Sequence, residues 1–188
     1  MINKKVLFEN IIDLLLSVKW SQKITAKHYD RLYKYSIWLK WGRVAAAILT
    51  SGAAASLFAW NTFLGKVFSL IGALITLIIE TLTNKFNLNK NTLTLFDSKE
   101  EFWDIAVELT TIARKVMVTN DSKYLVSLNE EYKKILDRVE IIQKQLPSAS
   151  KRDINKASND IKNEHSDDNW ENERHLLPPD ILRYRKEH

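Results

Sequence analysis

Residues 44–82, VAAAILTSGAAASLFAWNTFLGKVFSLIGALITLIIETL, decide how this chain folds. From Val44 to Gly65 no side chain is charged; Lys66 interrupts, and Val67 to Ile79 is again uncharged before Glu80. A helix needs roughly 20 predominantly apolar residues to cross a hydrocarbon core about 30 Å thick, so this stretch is too long for one crossing and long enough for two. The reading is a membrane hairpin, with a first span over 44–64, a second over 67–82 and the turn within 61–66. Its competitor is a buried hairpin inside a soluble bundle, because core helices can also be apolar on all sides. The rest of the chain offers few apolar elements large enough to wrap two such helices. Trp38, Trp41 and Trp60 also stand at the flanks, where an interfacial aromatic belt would lie.

Outward from the hairpin, charge sets the orientation. Residues 1–43 carry nine Lys or Arg against three acids, the connecting turn has only Lys66, and Lys85 and Lys90 follow the second span. The positive-inside rule then puts both termini in the cytoplasm, as in a multi-pass membrane protein. The net charge of +5 is read as a topology and lipid-headgroup signal. No basic stripe with interleaved stacking aromatics occurs outside the membrane-proximal helix, so no nucleic acid is expected as a partner. The apolar residues near the N-terminus are interrupted by Glu9, Asn10 and Asp13, which a secretory signal would not tolerate.

The same sequence excludes most catalytic chemistry. It has no cysteine, hence no disulfide framework, thiolate nucleophile or Cys-type zinc site. His28, His165, His175 and His188 are scattered, with no pair at helical metal spacing. Phosphate-cradling, dinucleotide-binding and hydrolase motifs are all missing. No metal, no cofactor and no enzymatic activity are expected.

The two spans are chemically unequal. The first is rich in small residues, and Ala47, Ser51 and Ala55, or Gly52 and Ser56, stand four apart, a pattern that lets helices approach closely in lipid. On the second, Ser69, Ala73, Thr76, Glu80 and Thr83 recur at alternating spacings of four and three, which gathers them on one face. A polar stripe through a membrane helix wants water or a partner. An ionisable residue in a membrane helix normally faces a bundle interior or an aqueous path; equally, Glu80 stands close enough to the cytoplasmic end to reach headgroups. Ser and Thr can also satisfy their hydroxyls on their own helix. One hairpin cannot enclose a pore, so a conducting form must be a homo-oligomer.

The flanks read as helices, giving an all-α fold: residues 1–43 N-terminal and cytoplasmic, 44–83 the hairpin, 84–146 a cytoplasmic helical region, 147–188 a polar, flexible tail. Before the hairpin, 6–18 and 21–41 read as two helices. Residues 85–96 read as a connector, and Ser98 with Glu101 as a capping box opening the next helix. Phe102, Ile105, Leu109 and Ile112, then Leu128, Tyr132, Ile135 and Val139 after a break at 119–122, form narrow seams of coiled-coil type. Their partners are each other, the N-terminal helices, or the same helices of neighbouring subunits. Beyond Pro147 the periodicity is lost, and the polar stretch is interrupted by Trp170 and by the terminal apolar knot Leu176, Leu177, Pro178, Pro179, Asp180, Ile181 and Leu182.

A basic helix ending in Trp38 to Arg43, a small-rich span, a short turn, an Ile/Leu-rich span with a terminal acid, and a helix from Ser98 together resemble the SLATT family. These are two-helix membrane effectors found beside nucleotide-synthesising and nucleotide-sensing proteins in bacterial conflict systems. The resemblance covers roughly residues 20–118. It implies an antiviral or self-limitation effector that breaches the inner membrane when a nucleotide second messenger or a partner protein reaches its cytoplasmic part, with Ser69, Thr76 and Glu80 as the candidate pore lining and the seams after Ser98 holding the assembly. The alternative is a non-conducting membrane-anchored adaptor that recruits a cytoplasmic partner, the hairpin serving only as a tether.

Overall fold

The computed structural model describes residues 3–60, 63–85, 87–163 and 176–187, without the side chains of 53–60, 64, 162 and 163. Among the described residues the fold is all-α, with six helices: α1 (Lys4–Trp60), α2 (Phe63–Lys85), α3 (Leu88–Val118), α4 (Ser122–Gln145), α5 (Lys151–Asn163) and α6 (Pro179–Glu187). They form two compact units. One comprises Met1–His28 with Thr94–His188, the other Tyr29–Leu93.

The two helices expected before the hairpin are one. α1 is continuous from Lys4 to Trp60. Lys19 and Trp20, between the two expected helices, are neither Gly nor Pro, and neither are the residues on either side, so nothing there removes a backbone hydrogen bond or favours a left-handed residue.

The first unit is built around the N-terminal part of α1. Leu7, Phe8, Ile11, Ile12, Leu15 and Val18 are buried, together with Phe102, Ile105, Leu109, Ile112 and Val116 of α3 and Leu125, Leu128, Ile135, Val139 and Ile142 of α4. α3 and α4 are antiparallel: Arg138 pairs with Glu108 at 2.9 Å and Lys115 with Glu131 at 3.8 Å. The turn between them covers the expected break. Asp121 caps α4, its carboxylate accepting the Lys123 amide at 2.9 Å, which satisfies one of the orphan donors of the first turn.

α3 starts ten residues before the capping box read at Ser98. Ser98 is instead buried within the helix, and Leu88, Leu95, Ser98, Phe102 and Ile105 are all buried at spacings of seven, three, four and three. Residues 88–97 hold no Gly or Pro, so propagation into them costs little. The helix begins where Asn87 takes a left-handed conformation, φ 45°, which Asn tolerates better than other side chains. Its carbonyl accepts the Asn91 amide at 2.9 Å, opening α3 directly behind the end of α2.

Beyond Pro147, where a flexible tail was expected, the described residues form α5 and α6. A reciprocal cap opens α5: the Ser150 amide donates to the Asp153 carboxylate at 3.0 Å and the Asp153 amide to the Ser150 hydroxyl at 3.3 Å. Ala157 is buried one turn on, and Asp160 pairs with Lys27 of α1, a hydrogen bond that holds the Asp160 carboxyl below its ordinary value. The apolar knot belongs to the core, where Leu177 and Ile181 are buried; Trp170 lies outside the described residues. Arg114 grips Asp180 through two hydrogen bonds, 2.8 and 3.3 Å, Tyr184 meets the Phe8 ring edge-on at 5.0 Å between centroids, and Lys19 donates to the Leu176 carbonyl. Periodicity does not reveal this docking because a nine-residue helix offers too few turns for a stripe to be visible.

Candidate functional site

The second unit contains the hairpin. Among the described residues one segment, Gly65–Lys85, is long and apolar enough to cross a membrane, and most of it is not buried within the chain. The expected first span continues α1 as helix to Trp60, while residues 61 and 62 lie outside the described set. Ala, Ser and Gly make this span the less apolar of the two.

α1 and α2 run antiparallel and close. A Cβ built on Gly72 would fall 3.1 Å from the Ala46 carbonyl oxygen and closer still to the Thr50 hydroxyl. One on Gly42 would fall 3.1 Å from Ile79 Cδ1. At the same level Arg43 pairs with Glu80 at 3.0 Å. The face of α2 in this contact is Gly65, Ser69, Gly72, Thr76, Ile79 and Thr83: buried and half-buried positions alternate along it at spacings of four, three, four, three and four. Glycine and small side chains let the backbones meet, the usual source of helix association where lipid supplies no hydrophobic drive.

The sequence-read stripe therefore divides. Ser69 and Thr76 are half-buried on the α1-facing side, and the Thr76 hydroxyl donates to the Gly72 carbonyl at 3.0 Å. Ala73 is exposed, and Glu80, its side chain 50 % exposed, reaches sideways to Arg43 of α1, itself 45 % exposed. The packing positions also differ. Ala47, Ser51 and Gly52 are exposed, Gly52 meets nothing within 4 Å, and the Ala55 and Ser56 side chains lie outside the described residues. Buried Ala46 and half-buried Thr50, one position earlier, make the contact. Small residues four apart occur in several frames of this span, so spacing alone could not choose among them; Gly72 was the available signal.

The outer faces are apolar. Leu70, Leu74 and Leu77 of α2 are 63, 53 and 64 % exposed, and Ile48 of α1 66 %. Trp38 and Trp41, at 79 and 70 %, stand just before the apolar stretch of α1. Large contiguous apolar patches are rare on proteins that live in water and mark contact with a membrane or a partner.

In the first unit, the seam residues Phe102, Ile105, Leu109, Ile112, Leu128, Ile135 and Val139 are buried, and Tyr132 packs against them half-buried. Their partners are found within the chain, on α1, α3 and α4. Burial, and then the negative Asp13 nearby, push the Tyr132 hydroxyl above its ordinary pKa. Among the described residues no group of three His, Asp or Glu side chains is placed to hold a metal ion.

Compared with known proteins, the chain matches the family described as SMODS and SLOG-associating 2TM effector domain family 4, over residues 7–173. No curated protein and no solved structure matches it.

Proposed function

Because the chain belongs to the SMODS and SLOG-associating two-transmembrane effector family, we propose that it is an oligomeric pore-forming effector of a bacterial antiviral or conflict system. In this reading both termini lie in the cytoplasm and the protein breaches the inner membrane when its first unit is triggered, by a nucleotide second messenger or a partner protein. The observation that supports it is α2: a membrane-length apolar helix, outer face bare, with an exposed carboxylate, Glu80, near its end. A charge placed at membrane depth costs on the order of 3 kcal/mol and is retained for a use. In this reading Glu80, exposed on α2, is the pore residue, and Ser69 and Thr76 reach a lumen only if α2 turns about its axis against α1. In vesicles, Glu80→Ala is expected to insert as the parent does and to change ion flux severalfold; unchanged flux with normal insertion would sink the reading.

One observation favours the tether. Within a single chain the stripe is already satisfied, Thr76 on its own helix and Glu80 on Arg43. Exchanging the hairpin for an unrelated one separates the two, since a tether keeps its activity in cells and a pore loses it.

A further inference from the structure

Where α6 closes over the start of α1, a cavity of about 410 Å³ is lined by Lys4, Lys5, Phe8, Asn120, Tyr184 and Arg185, with Asn3 and Glu9 completing the wall. We infer that this cavity binds a small phosphorylated molecule about the size of a mononucleotide. The inference deepens the trigger side of the reading above by giving the first unit a ligand site.

Three cations converge on the cavity against one lining carboxylate. Lys4 is held in place: its ammonium donates to the Met117 carbonyl at 3.0 Å and to Asn120 Oδ1 at 3.2 Å, and lies 6.0 Å from the Tyr184 ring centroid. An ammonium has three protons to give, so one remains for a ligand oxygen. Arg185 is oriented by Glu9 at 3.0 Å and, more distantly, by Asp13 at 3.9 Å. A guanidinium carries five donors in a planar fork, enough to keep Glu9 and still offer an edge to phosphate. The first turn of α1 holds no acidic side chain to compete. Tyr184 and the buried Phe8 also line the cavity, their rings edge to face at 5.0 Å. The volume is in the range of small-ligand pockets and well above that of a lone phosphate, and mixed apolar and convergent polar walls are their usual composition. Because Tyr184 and Arg185 come from α6, an occupied cavity also holds α6 in place.

Titration calorimetry on the full chain in detergent tests this, with AMP, adenosine and inorganic pyrophosphate as probes. AMP is expected to bind and adenosine not to. Loss of a charge-assisted contact is worth about 1.5–3 kcal/mol, so Lys5→Glu and Arg185→Glu should each weaken AMP by about tenfold or more. Lys133→Glu, exposed on α4, should leave it unchanged. Lys5→Glu guards against the outcome that Arg185→Glu merely loosens α6. No binding of either phosphate-bearing probe, or equal affinity in the parent and the Lys5→Glu protein, overturns the assignment. A second arm uses nanodiscs: AMP binding that survives added phosphatidylglycerol identifies a soluble ligand, whereas its loss assigns the cavity to a lipid headgroup and overturns it. These measurements read affinity alone, so their failure leaves the flux reading standing, and a non-conducting protein that binds AMP fails the flux reading only.

Discussion

At the scale of single residues, Gly72 has less room to change than Gly42 or Gly52. Any side chain there must displace the Thr50 hydroxyl and press on the Ala46 carbonyl oxygen, which belongs to a helix backbone and cannot yield. Gly72→Leu is therefore expected to separate α1 from α2. Because the chain has no cysteine, a pair introduced as Gly42→Cys and Ile79→Cys reports this without background. Oxidative cross-linking between them should fall severalfold in the Gly72→Leu protein and stay unchanged in Gly52→Leu, where the added side chain meets open space. Asp180 is the residue to watch with pH. The hydrogen bond from Arg114 holds its carboxyl below the ordinary 3.8. A depressed carboxylate contributes stability that is complete above its ordinary pKa and lost as pH falls through the lowered one. Hydrogen-exchange protection of α6 should accordingly be flat above about pH 4 and decline below it. In Asp180→Asn that dependence should weaken; an unchanged acid profile would show that Arg114 does not anchor the helix.

At the scale of elements, helix type and core face were legible where a stripe ran for several turns. The 3-and-4 spacing from Phe102 to Val116 and from Leu125 to Ile142 marks the faces that are buried. Ile105→Ala, emptying a fully buried site, should cost about 2–5 kcal/mol in denaturant unfolding of the first unit; a cost below 1 kcal/mol would mean this seam is not packed as described. Boundaries were less legible. Ser98 with Glu101 has the composition of a capping box, yet Asn87 is the residue that changes backbone conformation, and the register of Leu88 and Leu95 carries α3 back to it. A cap motif records only local hydrogen-bonding capacity. Tertiary packing on the preceding turns outweighs it. In the hairpin, the spacing of small residues was visible but not its frame, because Ala46 and Thr50 are as small and as regularly placed as Ala47 and Ser51. The partner's glycine, on another helix, makes the choice.

At the scale of the molecule, the first unit is assembled from both ends of the chain, 1–28 and 94–188, with the hairpin residues inserted between them. Composition shows the insertion clearly, since the charge-free block of 44–65 has no counterpart elsewhere. It does not show that the polar C-terminal region returns to complete the core, because the apolar residues that do so, Leu177 and Ile181 with Leu176, Leu182 and Tyr184 beside them, fall within one short segment of a largely polar stretch. This return has a genetic consequence. A cell escaping a toxic membrane protein keeps whichever mutations silence it. If the hairpin alone carried toxicity, survivors would gather in its codons. With Ile181 fully buried in the core, a stop codon just before position 176 removes part of the interior while sparing every hairpin residue, and survivors sequenced after such a selection should include stops across that late stretch as readily as early ones.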